Sequence, residues 1–174
     1  MNIFEIRAKA EKLKSLYGLD CIMIDYLQLI NTPESYNRTR ENEIAKISRY
    51  CKVMAKELNI PVILLCQLNR EVTKRKGQDR YPQLSDLRES GAIEQDADIV
   101  IFLHRDWMSG HIADENGQST ELRADLIVRK WRNGRNNFII PLDFDPPKMK
   151  FVTHAPIEGS WRPVAENYKN HDDK

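Results

Sequence analysis

Glycine-rich phosphate loops are the first thing missing from this sequence. Its 7 glycines (Gly18, Gly77, Gly91, Gly110, Gly117, Gly134 and Gly159) are scattered, and none belongs to a G-x-x-x-x-G-K-[ST] loop or a G-x-G-x-x-G turn. If the protein handles nucleotides, the backbone cradle for their phosphates is not among these 174 residues. Long apolar runs are missing as well. Residues 21–24, 62–66 and 99–103 form the longest, and each is strand-length, far short of a membrane span. Glu5, Arg7, Lys9, Glu11 and Lys12 interrupt the first apolar positions, unlike the unbroken core of a signal peptide. A cytoplasmic protein without membrane contact is the expectation. Cysteine is scarce, with 3 residues and no C-x-x-C spacing, which argues against a disulfide framework or a zinc site. Cys21, Cys51 and Cys66 sit in apolar or helical patterns and are expected to be buried, reduced thiols. Charge of one sign is lacking too. With 27 Lys+Arg against 26 Asp+Glu the net charge is +1, so neither a globally basic coat protein nor an acidic disordered chain fits. Any nucleic-acid contact must come from local patches.

What is present is the rhythm of an α/β domain. Ile3, Ile6, Ala10, Leu13 and Tyr17 recur at helical intervals over residues 2–17, and Gly18 can end that helix. Residues 21–24 then read as a strand buried on both faces, as in parallel sheets covered by helices. A loop follows over 31–40, then a helix over 43–58 with Ile44, Ile47, Cys51, Met54 and Leu58 on one face, then a second buried strand over 62–66. Helix alternating with strand predicts right-handed crossovers and a mainly parallel sheet. Residues 99–103 supply a third buried run. Beyond it, 122–128 and 138–142 flank Asn133-Gly134, a dipeptide suited to a tight hairpin whose two central residues take positive φ. A last strand is expected over 149–153, and residues 155–174 as a flexible tail. One domain over 1–154 accounts for the length.

Several residues carry chemistry by their placement. Asp25 ends the first buried strand, where an aspartate can hold Mg²⁺ through water or serve as a cap or turn residue. Gln67 holds the equivalent place on the next strand, where its amide could sense a phosphate or an attacking water, or simply face solvent. Residues 70–80 hold five cations (Arg70, Lys74, Arg75, Lys76, Arg80) against Glu71 and Asp79, enough to neutralise backbone phosphates. Arg129, Lys130, Arg132 and Arg135 surround the hairpin turn, a setting from which a guanidinium can be projected into a neighbour's site. Residues 85–98 are nearly all polar yet lie between two buried strands, and Gly91 there would let backbone approach a ligand closely. No H-E-x-x-H or G-x-S-x-G occurs. His104, His111, His154 and His171 fall in no ligand spacing and read as structural or surface residues.

The succession Ile24-Asp25-Tyr26-Leu27-Gln28-Leu29, Ala55-Lys56-Glu57-Leu58-Asn59-Ile60-Pro61-Val62, Gln67-Leu68-Asn69-Arg70, Ser85 through Asp98, and Lys130-Trp131-Arg132-Asn133-Gly134 resembles the C-terminal ATPase domain of DnaB-type replicative DNA helicases. The resemblance covers roughly residues 1 to 153. It implies a partial RecA-like α/β fold, a homo-hexameric ring around single-stranded DNA, and ATP- and Mg²⁺-dependent 5′ to 3′ unwinding during replication, with primase and a helicase loader as further partners. Carried over by position, Asp25 matches the aspartate that holds the nucleotide's Mg²⁺, and Gln67 the glutamine that senses the γ-phosphate. Arg88, Glu89 and Gly91 match the loop that grips DNA. Lys130 and Arg132 match the basic pair reaching the adjacent subunit's γ-phosphate, with Arg132 the arginine finger.

The departures from that family shape the expectations equally. Its phosphate loop and the glutamate that orients the attacking water lie upstream of the segment matched here. The chain on its own is therefore expected to have negligible ATPase activity, since losing preorganised donors to the phosphates costs orders of magnitude in rate. A sheet without the corresponding strand is expected to leave an exposed edge or apolar face. Trp131 stands where the family more often has Gln, and Arg135 where Pro is frequent; both alter the hairpin and keep its cations. The alternative is a truncated, non-catalytic module that binds DNA or a helicase ring. A sibling ATPase of the recombinase or clock-protein kind is disfavoured by the wording of residues 85–98.

Overall fold

The computed structural model describes residues 1–32, 39–69, 72, 75, 80–87, 91–153 and 162–163, the last two by backbone alone. The chain divides into two compact units, residues 1–69 with 83–97, and residues 70–82 with 98–174.

The first unit opens with α1, Ile3–Tyr17, whose ends are both chemically marked. Asn2 accepts the Glu5 N–H at 2.9 Å and donates its own N–H to Glu5 Oε2 at 3.2 Å, so two orphan donors of the helix terminus are satisfied reciprocally. Gly18, at φ 78, closes the helix by donating to the Lys14 carbonyl at 3.1 Å. Strand β1, Ile22–Ile24, leads to α2, Arg40–Leu58, which Asn59 ends in the left-handed conformation. Strand β2, Val62–Leu64, pairs parallel with β1 in the register Ile22↔Val62, Met23↔Ile63, Ile24↔Leu64. A short α3, Gly91–Asp96, completes the unit. The core is the apolar face of α2 packed on β1 and its following turn: Ile3, Ile24, Leu27, Ile30, Ile44, Ile47, Cys51 and Ile93 form one cluster, and Ala10, Met54 and Leu58 a second.

Two features of this unit depart from the sequence pattern. The first strand is not buried on both faces: Met23 and, opposite it, Ile63 are exposed, because helices cover only one side of the two-stranded sheet among the described residues. Nor is the polar stretch 85–98 merely superficial. Asp86 is buried where it accepts the Gln83 N–H at 2.7 Å, and Ile93 lies in the core.

The second unit is antiparallel. Strands β3 (Ile99–His104), β4 (Arg123–Trp131), β5 (Phe138–Asp145) and β6 (Lys150–Thr153) follow one another across the sheet, and β7 (Arg162–Pro163), inside the expected tail, pairs with β5. The α/β class and the C-terminal hairpin are as the sequence indicates. The balance of the sheets is not: the protein has one parallel pair and a larger antiparallel sheet. The third apolar run joins the antiparallel one because β4 returns directly beside it, Phe102↔Ile127 and Leu103↔Leu126, with no intervening helical crossover.

The hairpin turn also differs from the tight form expected. Asn133 and Gly134 do not take positive φ; the left-handed residue is Asn137, at φ 57. Registered pairing of β4 with β5 stops at Val128↔Phe138, so the connection is long. It is shaped by the Gly134 N–H donating to the Trp131 carbonyl at 3.2 Å and by Asn136 Oδ1 accepting the Trp131 N–H. Gly134 is required for closeness rather than for φ, since a Cβ there would lie 2.3 Å from the Trp131 indole.

Candidate functional site

The parallel register sets two candidates at neighbouring strand ends. Beyond the Ile24↔Leu64 pair the ladder continues as Leu65 N–H donating to the Ile24 carbonyl at 3.0 Å and Leu27 N–H to the Leu65 carbonyl at 2.9 Å. Asp25 therefore lies just past the carboxyl end of β1, and Gln67 just past that of β2. Both are exposed, and the Asp25 carboxylate has no hydrogen-bonding or ionic partner among the described residues. The cap reading of Asp25 finds no support, because the turn Leu27–Leu29 that follows starts at Tyr26 without a side-chain cap.

A polar network backs these strand ends. Gln28 donates from Nε2 toward the Gln67 carbonyl at 3.5 Å, and its own carbonyl accepts Arg40 Nη2 at 2.8 Å. Arg40 also pairs with the buried Glu43, whose Oε1 accepts the Thr32 N–H at 3.0 Å. Burial works to raise the Glu43 pKa, but the Thr32 N–H and Arg40 outweigh it and hold the carboxyl below its ordinary range. Gln28 Oε1 is buried with no partner among the described residues. Sequence reasoning misses Gln28. The signal for it is an amide set inside the apolar run Leu27, Leu29, Ile30.

Gly91 starts α3 in the same unit, and nothing lies within 4 Å of where its Cβ would stand. Arg88 and Glu89 lie outside the described residues, as do Arg70, Lys74 and Lys76 of the basic loop. Arg80 of that loop is committed locally: its Nε donates to Asp106 Oδ1 at 2.9 Å and its guanidinium lies 4.7 Å from the Tyr81 ring centre. His104, buried, meets the same Asp106 oxygen at 2.9 Å. His111 contacts the Arg75 carbonyl at 3.1 Å, which gives both described histidines structural partners.

The basic pair sits at the end of β4 in the second unit. Lys130 is paired across the ladder with Val100, and Arg132 opens the turn. Arg132 is held twice by Asp98, backbone N–H to carbonyl at 2.8 Å and Nη1 to Oδ1 at 3.0 Å, with both side chains about half exposed. Arg129 points elsewhere and donates from Nε to the Pro82 carbonyl at 2.7 Å. The hairpin thus offers Lys130, Arg132 and Arg135 rather than four equivalent cations.

The three cysteines are free, as expected. Cys51 is buried and Cys66 partly so, and burial pushes their thiols up to about 12 and about 11 respectively. No group of three or more His, Cys, Asp or Glu that could hold a metal occurs among the described residues. A single exposed, unpartnered carboxylate nonetheless fits Mg²⁺, which keeps most of its waters and borrows phosphate oxygens. An open hollow of about 400 Å³ along α2 is lined by Asn42, Ala45, Lys46 and Arg49, and no candidate residue borders it. No helix is long and apolar enough to cross a membrane among the described residues.

Comparison with known proteins agrees with this arrangement. The chain is 45% identical over 157 residues to the replicative DNA helicase DnaB of Leifsonia xyli subsp. xyli, covering 90% of this chain and 32% of that one. A solved helicase-type ATPase domain superposes with a TM-score of 0.75 at 39% identity, covering 88% of this chain and 52% of the other. A DnaB-like replicative helicase, solved in a study of its interactions with primase, gives a TM-score of 0.74 at 38% identity, over 87% of this chain and 36% of that one. The chain thus spans about a third of the length of the curated relative. Residues 1–153 match the family described as the DnaB-like helicase C terminal domain, with Asp25, Gln67, Lys130 and Arg132 all inside the match, and the chain belongs to that family.

Proposed function

We propose that this chain forms part of a hexameric, ATP-driven replicative DNA helicase, contributing the Mg²⁺ carboxylate, the γ-phosphate sensor, a DNA-gripping segment and a basic finger. The observation that carries this reading is the placement of Asp25 and Gln67 at adjacent carboxyl ends of a parallel strand pair, in a chain of this family. Asp25 is the residue to hold Mg²⁺, chiefly through water. Bound there, Mg²⁺ supplies charge neutralisation for the transferring phosphoryl oxygens. Gln67 donates its amide toward the γ-phosphate, and its carbonyl, tied to Gln28, passes a displacement to Arg40, Glu43 and the start of α2. Arg88, Glu89 and Gly91 contact the DNA backbone in the ring's channel. Lys130 and Arg132 act on the nucleotide of the neighbouring subunit, for which Arg132 leaves Asp98 and exchanges one carboxylate for phosphate. Single-stranded DNA, primase and a helicase loader are the partners this reading assigns, and the cytoplasm its compartment.

ATP phosphates need a cradle that these 174 residues do not contain, so turnover requires residues supplied from elsewhere. The test is a chimera in which residues 1–153 replace the matching part of the solved ATPase domain, assayed for DNA-stimulated ATP hydrolysis. Asp25→Ala is expected to lower kcat by about 10²-fold or more, and Arg132→Ala by about 10³-fold or more. Unchanged turnover in either variant removes that residue from the mechanism.

A further inference from the structure

Strand β3 presents an apolar row that nothing in its own unit covers. Val100, Phe102 and His104 point into the sheet's packed side and are buried, while Ile99, Ile101 and Leu103 alternate with them and remain 50%, 51% and 52% exposed. Strands with apolar residues on both faces belong to sheets covered on both faces, whereas a strand meant for solvent alternates apolar with polar. β3 carries Ile, Ile and Leu on its open side. It is also the outermost strand, pairing with β4 alone among the described residues, so a row of backbone donors and acceptors faces outward beside the apolar row. Such an edge recruits another strand, with alternate side chains packing beside it.

Deficits of the same kind occur in the first unit, described by itself. Met23 on β1 and Ile63 on β2 are exposed neighbours on one face of the parallel pair, and Leu65 follows on the same side. Two sheets lacking apolar cover call for a partner with apolar strand and helix faces. Its identity follows from lengths. The solved ATPase domain matches 88% of this chain at a TM-score of 0.75, yet the match uses only 52% of that domain. About half of a solved domain with this fold is therefore unrepresented in these residues, and the open faces lie on the part that is represented.

We propose that the open face and edge of β3 dock the unmatched half of a DnaB-type ATPase domain, and that this half can be supplied in trans as a separate chain to form a 1:1 split domain. This rests on the fold match and not on the activity assigned above. Apolar burial is the driving force, with Ile101 at the centre of the row.

The experiment is co-expression of the 174-residue chain with a tagged fragment comprising the residues of the solved ATPase domain outside the match, followed by co-purification and native mass spectrometry. A 1:1 complex is expected. Ile101→Lys should weaken it by about tenfold or more, as for other central interface positions, and Leu103→Glu gives an independent second lesion. Because both side chains are half exposed, circular dichroism of each variant alone should match the parent chain. Absence of the 1:1 complex overturns the proposal, as does a complex indifferent to both substitutions. A homodimer that Ile101→Lys dissociates and that the tagged fragment cannot displace also overturns it, in favour of self-association. Adding ATP and DNA to the complex then tests the activity separately: a tight complex without turnover leaves the docking face standing and counts against the assigned function.

Discussion

The two units bury comparable apolar side chains by opposite means. In the first, one long helix does most of the work, and Ile44 and Ile47 of α2 are fully buried against segments distant in sequence. In the second, a ladder of antiparallel strands does it, with Ile127 and Ile139 buried at the centre of the sheet. Their candidate chemistry differs accordingly. The first unit leaves a bare carboxylate at a strand end, whereas the second offers a guanidinium already engaged by Asp98. A strand end gives an unpaired group for a cation to find; a hairpin gives a cation that must first exchange partners.

The most severe way to break this comparison is to empty each core. Ile47→Ala and Ile127→Ala each remove a wholly buried side chain and are expected to cost about 2–5 kcal/mol. Hydrogen exchange should show the first loss in the α2 amides and the second in β4. If Ile127→Ala left β4 protection unchanged, the sheet would not be the second unit's core.

Next in size are two carboxylates with depressed pKa values, one in each unit. Burial raises the pKa of Glu43, but the Thr32 N–H and Arg40 lower it further than that, and burial of Asp106 is likewise outweighed by His104 and Arg80. A carboxyl whose folded pKa is depressed stabilises the fold above its unfolded value and loses that contribution as pH falls through the folded value. Both contributions are thus fully present at neutral pH and fade below about pH 4. Glu43→Gln and Asp106→Asn are expected to cost about 1–3 kcal/mol at pH 7, with a shallower acid decline in urea titrations than the parent chain. An equally steep decline in a variant would show that its carboxylate does not set the acid sensitivity.

How far these features are legible in the sequence depends on whether their cause is local. The periodicity of Ile44, Ile47, Cys51, Met54 and Leu58 declares α2 because helical burial repeats within the chain itself. The apolar run at β3 declares a strand but not its partner, since a run of Ile, Val and Phe suits a parallel or antiparallel neighbour equally and only the return of β4 decides. Asp25 and Gln67 are legible as strand-end residues. Gln28 is not, because its importance lies in reaching the Gln67 carbonyl and Arg40, contacts set by the third dimension. The hairpin is legible but the form of its turn is not: Asn133-Gly134 suits a two-residue turn, while the bulk of Trp131 and the reach of Asn136 impose a longer one.

That turn supplies a smaller, sharper test. Gly134→Ala puts a methyl 2.3 Å from the Trp131 ring, and because Trp131 is partly exposed its indole can swing away. The expected cost is about 1 kcal/mol, seen as a lower melting temperature with a shift in tryptophan emission. No change in emission would mean that Trp131 does not pack on Gly134.

The smallest expected effect on stability belongs to Arg132→Ala. Its pair with Asp98 is half exposed on both sides, and pairs of that kind contribute about 0–1 kcal/mol. The backbone bond from the Arg132 N–H to the Asp98 carbonyl survives the substitution, so the hairpin keeps its anchor. Denaturation of the variant should therefore overlay that of the parent chain within about 0.5 kcal/mol, although the same substitution in the chimera is expected to abolish most ATP turnover. Asp25→Asn should behave alike, since it removes a charge that no neighbour among the described residues stabilises. A side chain whose loss is silent in folding and costly in turnover is one kept for what it meets outside its own chain. Should Arg132→Ala instead cost well over the ~1 kcal/mol ceiling of an exposed pair, the guanidinium is a strut of the hairpin, and Lys130 would become the cation to test against the neighbouring phosphate.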